Sequence, residues 1–153
     1  MNLGLVGSLE FQGKPEGLIF NMYLDYLSLA YGKGAGRVDC FQLVRLFYER
    51  EFGISIPNLD YPEDWYNDTP NLIIENYKSY GFTECANDSS YGDVVVFYVN
   101  NVPRHLGIMI KSNYFLHSTK NGVAVHSITS GKWLSRVAIK LRHKGVLNDI
   151  FFS

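Results

Sequence analysis

A change of pattern partway along the chain predicts an α+β fold, with N-terminal helices packed on an antiparallel sheet of about five to six strands. The first half carries apolar residues at helical spacing, and the stretch after Gly81 alternates with period two. Length sets the scale, since 153 residues make one domain of ordinary size. With 46% hydrophobic and 19% charged residues, the chain can fill a core.

The elements follow in order. Residues 1–18 hold four Gly and one Pro without a period, and read as an irregular arm. Leu18 to Ala30 places Leu18, Met22, Tyr26 and Leu29 on one helical stripe. Gly32, Gly34 and Gly36 then break the chain. No strand precedes them and no Lys-Ser or Lys-Thr follows, so nucleotide binding is rejected there. Asp39 opens a second helix as its N-cap, with Phe41, Val44, Phe47 and Tyr48 on the apolar stripe and Gly53 as the stop. Pro57 to Pro70, with three prolines and four acids, reads as a surface loop, and Asn71 to Tyr80 as a short helix ended by Gly81. Six strands are expected over 82–85, 93–99, 106–111, 114–119, 123–128 and 137–142.

Composition excludes several functions. Lys and Arg total 14 against 15 Asp and Glu, so no nucleic-acid partner held by bulk positive charge is expected. Charge is nevertheless uneven: residues 58–93 carry eight acids and one base, and residues 100–153 carry eight bases and one acid. Two differently charged faces on one domain account for this, and docking to an assembly partner or an anionic polymer is the sharper reading. The longest apolar run, Val94 to Val99, is far too short for a membrane span. The opening stretch lacks a basic n-region, so no secretory signal is expected. Two cysteines, Cys40 and Cys85, form neither a disulfide framework nor a metal-ligand pattern, and no His pair stands at i, i+4. A soluble single domain made in a reducing cytoplasm fits these counts.

Cys40 is the nucleophile candidate because it falls in the first turn of the second helix. Unpaired N–H groups and the positive end of the helix dipole favour a thiolate there, and such a site can bring a thiol below neutral pH. The same N–H groups can hold an oxyanion. Cys85, in a strand, has no such support. A hairpin with the three-residue loop Lys111-Ser112-Asn113 sets Gly107 opposite His117 and makes His105 and His117 diagonal neighbours on one face, about 7–8 Å apart at the backbone. Gly107 leaves room beside them for a side chain or substrate. His126 and His143 lie near predicted strand ends in polar surroundings, and read as surface residues.

At these residues the chain resembles the NlpC-type cysteine peptidases of the NlpC/p-sixty superfamily. The resemblance rests on Tyr31-Gly-Lys-Gly34, Asp39-Cys40, Gly92-Asp93-Val-Val-Val-Phe97, His105-Leu-Gly-Ile108 and Phe115-Leu-His117-Ser118, in that order, with the two histidines twelve positions apart. It covers about residues 19–142. It implies a papain-like domain over 19–145, between the arm at 1–18 and a tail at 146–153. The segment Asp39 to Tyr48, Pro57 and the Trp133…Arg136…Arg142 ending look most like the branch found in tailed-phage tail proteins. Phe41 and Gln42 stand where many members have Ser and Gly.

The resemblance implies Cys40 as nucleophile, His105 as its base, His117 as the residue orienting His105, and Tyr31 at the oxyanion site. In some members Asp39 and the missing Ser hold a free substrate amino end. The implied activity is cleavage of peptidoglycan stem peptides, typically after γ-D-glutamate, through a thioester, with no cofactor. Host peptidoglycan would be the substrate and tail-tip proteins the partners. The protein would be made in the host cytoplasm, assembled into the virion tail, and act in the host wall or periplasm. A structural part of the tail tip with little turnover is the alternative. The arm and the tail, with Ile150, Phe151 and Phe152, are candidate docking elements.

Overall fold

The computed structural model describes residues 23–32, 34–58, 61, 72–85 and 89–146. The arm, the first turn of the helix expected from Leu18, most of the loop at 57–70 and the tail beyond Val146 lie outside them.

Residues 23–27 are helical (α1). Two short parallel strands follow, β1 (Ala30–Tyr31) and β2 (Arg37–Val38). Helix α2 spans Cys40–Phe52 and forms for the reasons the sequence supplies. Asp39 is extended and its Oδ1 accepts the Gln42 N–H at 2.8 Å, an N-cap. Gly53 closes the other end at φ 65°, a left-handed conformation that glycine adopts without a Cβ penalty. Helix α3 (Leu72–Asn76) is shorter than expected, because residues 77–81 leave the helix as turns before Gly81.

All six expected strands form one sheet: β3 (Phe82–Glu84), β4 (Val94–Val99), β5 (Val102–Lys111), β6 (Tyr114–Thr119), β7 (Gly122–Ser127) and β8 (Val137–His143). Their spatial order is β3-β8-β4-β5-β6-β7, and every pairing is antiparallel. A 3-10 turn, Leu134–Arg136, precedes β8.

The sheet has two buried faces. On one, Val94, Val96, Leu106, Ile108, Leu116 and Val125 pack against Phe41, Val44, Phe47 and Tyr48 of α2. On the other, Val95, Phe97, Met109, Phe115 and Ile128 form a smaller cluster with Trp133 and Val137. Alternation along each strand sorts the residues between these faces.

Two sequence expectations are corrected. The β5–β6 loop has two residues, Ser112 and Asn113, since Lys111 pairs with Tyr114. Ile110 is an extra residue on β5, and this bulge restores the face that a two-residue loop alone would reverse, so Gly107 still faces His117. His143 is also not a surface residue. Strand β8 runs one residue further than expected and pairs His143 with Phe82. The ring is buried against Phe82 and Tyr48, and its two nitrogens meet the Tyr80 carbonyl and the Gly145 N–H, each at 2.9 Å.

Candidate active site

The fold brings Cys40 to the backbone of β5 immediately beside His105. Pairing of β5 with β6 ends at Gly107 and His117, so the segment before Gly107 runs beyond that ladder. The start of α2 meets it there: the Cys40 thiol donates to the Arg104 carbonyl at 3.7 Å, and the Leu106 backbone amide also acts on the sulfur. Cys40 is partly buried.

His105 and His117 come together as expected. Nε2 of His105 lies 2.8 Å from Nδ1 of His117, which leaves Nδ1 of His105 as its other ring nitrogen. His117 is fully buried. Gly107 opens space between them for side chains rather than for a ligand: a Cβ there would lie 2.6 Å from Phe115 Cδ2 and 3.2 Å from Phe97 Cε2.

The thiol expected to titrate below neutral does not. Burial pushes Cys40 up to about 12, and the neighbouring Asp39 carboxylate adds to the rise; nearby backbone amides oppose it only in part. Burial likewise brings His105 down to about 4, with Lys132 and His126 adding to the fall, and holds His117 well below the usual histidine range, with His105, His126 and Lys132 adding. At neutral pH the resting pair is therefore a thiol and a neutral imidazole.

Asp39 is buried and both of its oxygens are engaged. Oδ1 caps α2, and Oδ2 accepts the Tyr61 hydroxyl at 2.6 Å. Phe41, the residue in place of the common Ser, is buried edge-on against Tyr61 at 6.0 Å and so belongs to the core. Tyr31 pairs with Val38, two residues ahead of Cys40, and its side chain is exposed. Among the described residues, no group of three His, Cys, Asp or Glu side chains is placed to hold a metal ion. A larger cavity lies near the Asp39 turn, bounded by Arg37, Val38, Gln42, Arg45, Asn58 and Tyr61, and neither Cys40 nor either of the paired histidines lines it.

The sequence reading missed three residues. His126 is half-buried and not the free surface residue expected: its Nδ1 lies 2.7 Å from Nε2 of His117, which extends the pair to a row of three. Trp133 covers that row, near-parallel to His105 (29°) and His126 (27°) and edge-on to His117 (83°). Ser118 donates its buried hydroxyl to the Val38 carbonyl. The signal for His126 was the same diagonal rule that paired His105 with His117. Strand β7 begins at Gly122 rather than Val123, and that one-residue difference decides which face His126 takes.

A family model described as the NlpC/P60 family matches residues 28–142, a span that holds all of these side chains. The chain belongs to the NlpC/P60 family. It is 26% identical over 122 residues to the Murein DD-endopeptidase MepS/Murein LD-carboxypeptidase of Escherichia coli K12, covering 77% of this chain and 57% of that protein. It is also 26% identical over 125 residues to Tail tip assembly protein K of Escherichia phage lambda, covering 75% of this chain and 62% of that protein. The chain thus spans less than two thirds of the length of either relative. Among solved structures, a protein described as similar to lipoprotein, NLP/P60 family, from Staphylococcus aureus Mu50 matches with a TM-score of 0.55 at 21% identity, over 88% of this chain and 43% of that one. The NlpC/p60 domain of peptidoglycan hydrolase SagA matches with a TM-score of 0.51 at 16% identity, over 84% and 98%. These likenesses establish an NlpC/P60 fold.

Proposed function

We propose that this chain is a phage tail-associated cysteine endopeptidase that hydrolyses peptidoglycan stem-peptide amide bonds, after γ-D-glutamate, during penetration of the host wall. The observation that carries this reading is the 2.8 Å contact between His105 and His117 on the strands beside a cysteine at a helix start. Kinship with a murein endopeptidase and with a phage tail tip protein supports the substrate and the setting.

In this mechanism Nδ1 of His105 takes the Cys40 proton as the sulfur attacks the scissile carbonyl carbon. Because the resting thiol is protonated, proton transfer and attack are coupled to substrate binding. The N–H groups at the start of α2 stabilise the oxyanion, with Tyr31 at the edge of that site. Collapse of the tetrahedral intermediate breaks the C–N bond, and His105 returns the proton to the departing amine. A water, deprotonated by His105, then attacks the thioester, releasing the carboxylate and the thiol. Both Asp39 oxygens already accept hydrogen bonds within the protein, from the Gln42 N–H and the Tyr61 hydroxyl.

The test is digestion of purified peptidoglycan by wild type and by Cys40→Ala, with products read by mass spectrometry. Cleavage after γ-D-glutamate by wild type alone is expected. Absence of cleavage by folded wild type would favour a structural role in the tail tip.

A further inference from the structure

The three histidines form one continuous row. Nε2 of His105 faces Nδ1 of His117 at 2.8 Å, and Nε2 of His117 faces Nδ1 of His126 at 2.7 Å. Both contacts are hydrogen-bond distances, so each holds one proton. A neutral imidazole carries a single N–H, with its other nitrogen an acceptor. Those two rules leave only two arrangements of a neutral row.

In the first, every ring carries its proton on Nε2, so His105 donates to His117 and His117 donates to His126. Nδ1 of His105 is then bare and able to take a proton. In the second, every ring carries its proton on Nδ1, the donations run the other way, and Nδ1 of His105 is already protonated. The first arrangement provides a base for Cys40 and the second does not. Intermediate states would leave a buried ring nitrogen facing another without a proton between them, or two protons in one contact.

We propose that His126 is a positioning residue: by accepting at Nδ1 the proton carried on Nε2 of His117, it holds the row in the arrangement that leaves Nδ1 of His105 free to accept the Cys40 proton. The role rests on the peptidase reading for its purpose, and on the row's geometry for its existence. A ring's tautomer is set by the hydrogen bond its other nitrogen makes, and here that dependence passes through two rings in succession. The surroundings fix the ring planes. Trp133 lies near-parallel to the first and third rings and edge-on to the middle one, and Phe115 packs within 4.6 Å of the His117 ring centroid. Burial also keeps His105 and His117 neutral, and with His126 neutral as well the two arrangements exclude each other.

The experiment combines nitrogen-15 NMR of histidine-labelled full chain, which distinguishes the Nδ1–H and Nε2–H tautomers, with alkylation of Cys40 by chloroacetamide. In wild type, His105, His117 and His126 are expected as Nε2–H tautomers. His126→Phe removes the acceptor, so His117 should become a mixture of tautomers and alkylation at neutral pH should slow by about tenfold or more, as for loss of an orienting partner. His126→Asn, whose Oδ1 can take the place of Nδ1, should restore the rate to within about threefold. A wild-type His117 protonated on Nδ1 would overturn the proposal, and this measurement needs no variant to fold. Equal slowing in the Phe and Asn variants would also overturn it, leaving His126 a packing residue. Neither readout uses peptidoglycan, so the two readings fail separately. A wild type that leaves the wall intact but shows the expected tautomers removes the peptidase and keeps the positioning role. Wall cleavage with His117 protonated on Nδ1 does the reverse.

Discussion

The hydroxyl of Ser118 donates to the carbonyl of Val38 at 2.7 Å, a buried bond between residues 80 positions apart. It ties the strand carrying His117 to the strand that feeds Asp39 and Cys40. The thiol and the histidine row come from different halves of the chain and from different faces of the sheet, so their alignment depends on such ties.

Ser118→Ala is therefore expected to lower stability by about 1 kcal/mol, because the Val38 carbonyl loses the shorter of its two hydrogen bonds and keeps the one from the Gly32 N–H at 3.3 Å. Alkylation of Cys40 should slow in the same variant. Urea unfolding and alkylation rates measured together check this, and an unchanged alkylation rate in the destabilised protein would mean that the tie sets stability alone.

Asp39 affects Cys40 in two opposed ways. As N-cap it builds the helix start, and as a carboxylate it raises the thiol pKa. Asn caps as well as Asp but carries no charge. Asp39→Asn should keep the cap, cost about 1.5–3 kcal/mol for the charged hydrogen bond from Tyr61, bring the thiol down and speed alkylation at a given pH. Asp39→Ala should bring the thiol down too, at a further cost of about 1 kcal/mol for the lost cap. A thiol pKa that does not fall in the Asn variant, measured by the pH dependence of alkylation, would remove the electrostatic account.

Much of the fold was legible because strand alternation and helix caps are local signals. Asp39 and Gly53 bracket α2 where the sequence places them, and the His105–His117 pairing, expected from a three-residue loop, is kept by a two-residue loop with a bulge. What escaped depends on single-residue registers and on tertiary burial. The bulge at Ile110 and the start of β7 at Gly122 each shift a strand by one position, and the second hid His126. The raised Cys40 thiol was hidden for a different reason. Helix position is written in the sequence, but desolvation by the packed sheet is not, and here desolvation outweighs the helix N-terminus.

Away from the histidine row, Asp93 anchors the start of β4. Its oxygens accept from Nε and an Nη of Arg142 at 2.9 and 2.8 Å, and one of them also takes the Ser90 N–H. Asp93 is 2% exposed whereas the Arg142 side chain is 30% exposed. Arg142→Ala would strand a buried carboxylate and should cost about 2–4 kcal/mol, toward the low side of fully buried pairs because Arg142 keeps some solvent. Pairing Arg142→Met with Asp93→Asn should recover part of that loss. Denaturant titration of the single and double variants checks both, and additive losses would show that the two residues are not coupled.

Acid should weaken the folded protein before the carboxylates titrate. The folded-state pKa of His105 is brought from 6.5 down to about 4, and those of His117 and His143 are lowered as well. Between about pH 4 and 6.5 the unfolded chain therefore binds more protons than the folded one, so unfolding free energy rises with pH across this window and levels off above it. His117→Gln removes one of these groups and should flatten the rise. The difference between the two melting curves, taken at steps from pH 4 to 7.5, isolates the histidine from the carboxylates. The same burial keeps His105 neutral, and thus able to act as a base, well below pH 6.5. His105 should therefore add no step to Cys40 alkylation near 6.5, and the base is lost only as pH approaches about 4. A step at 6.5 that persists in His126→Asn would mean that His105 titrates as an exposed ring, which is incompatible with a closed row beneath Trp133.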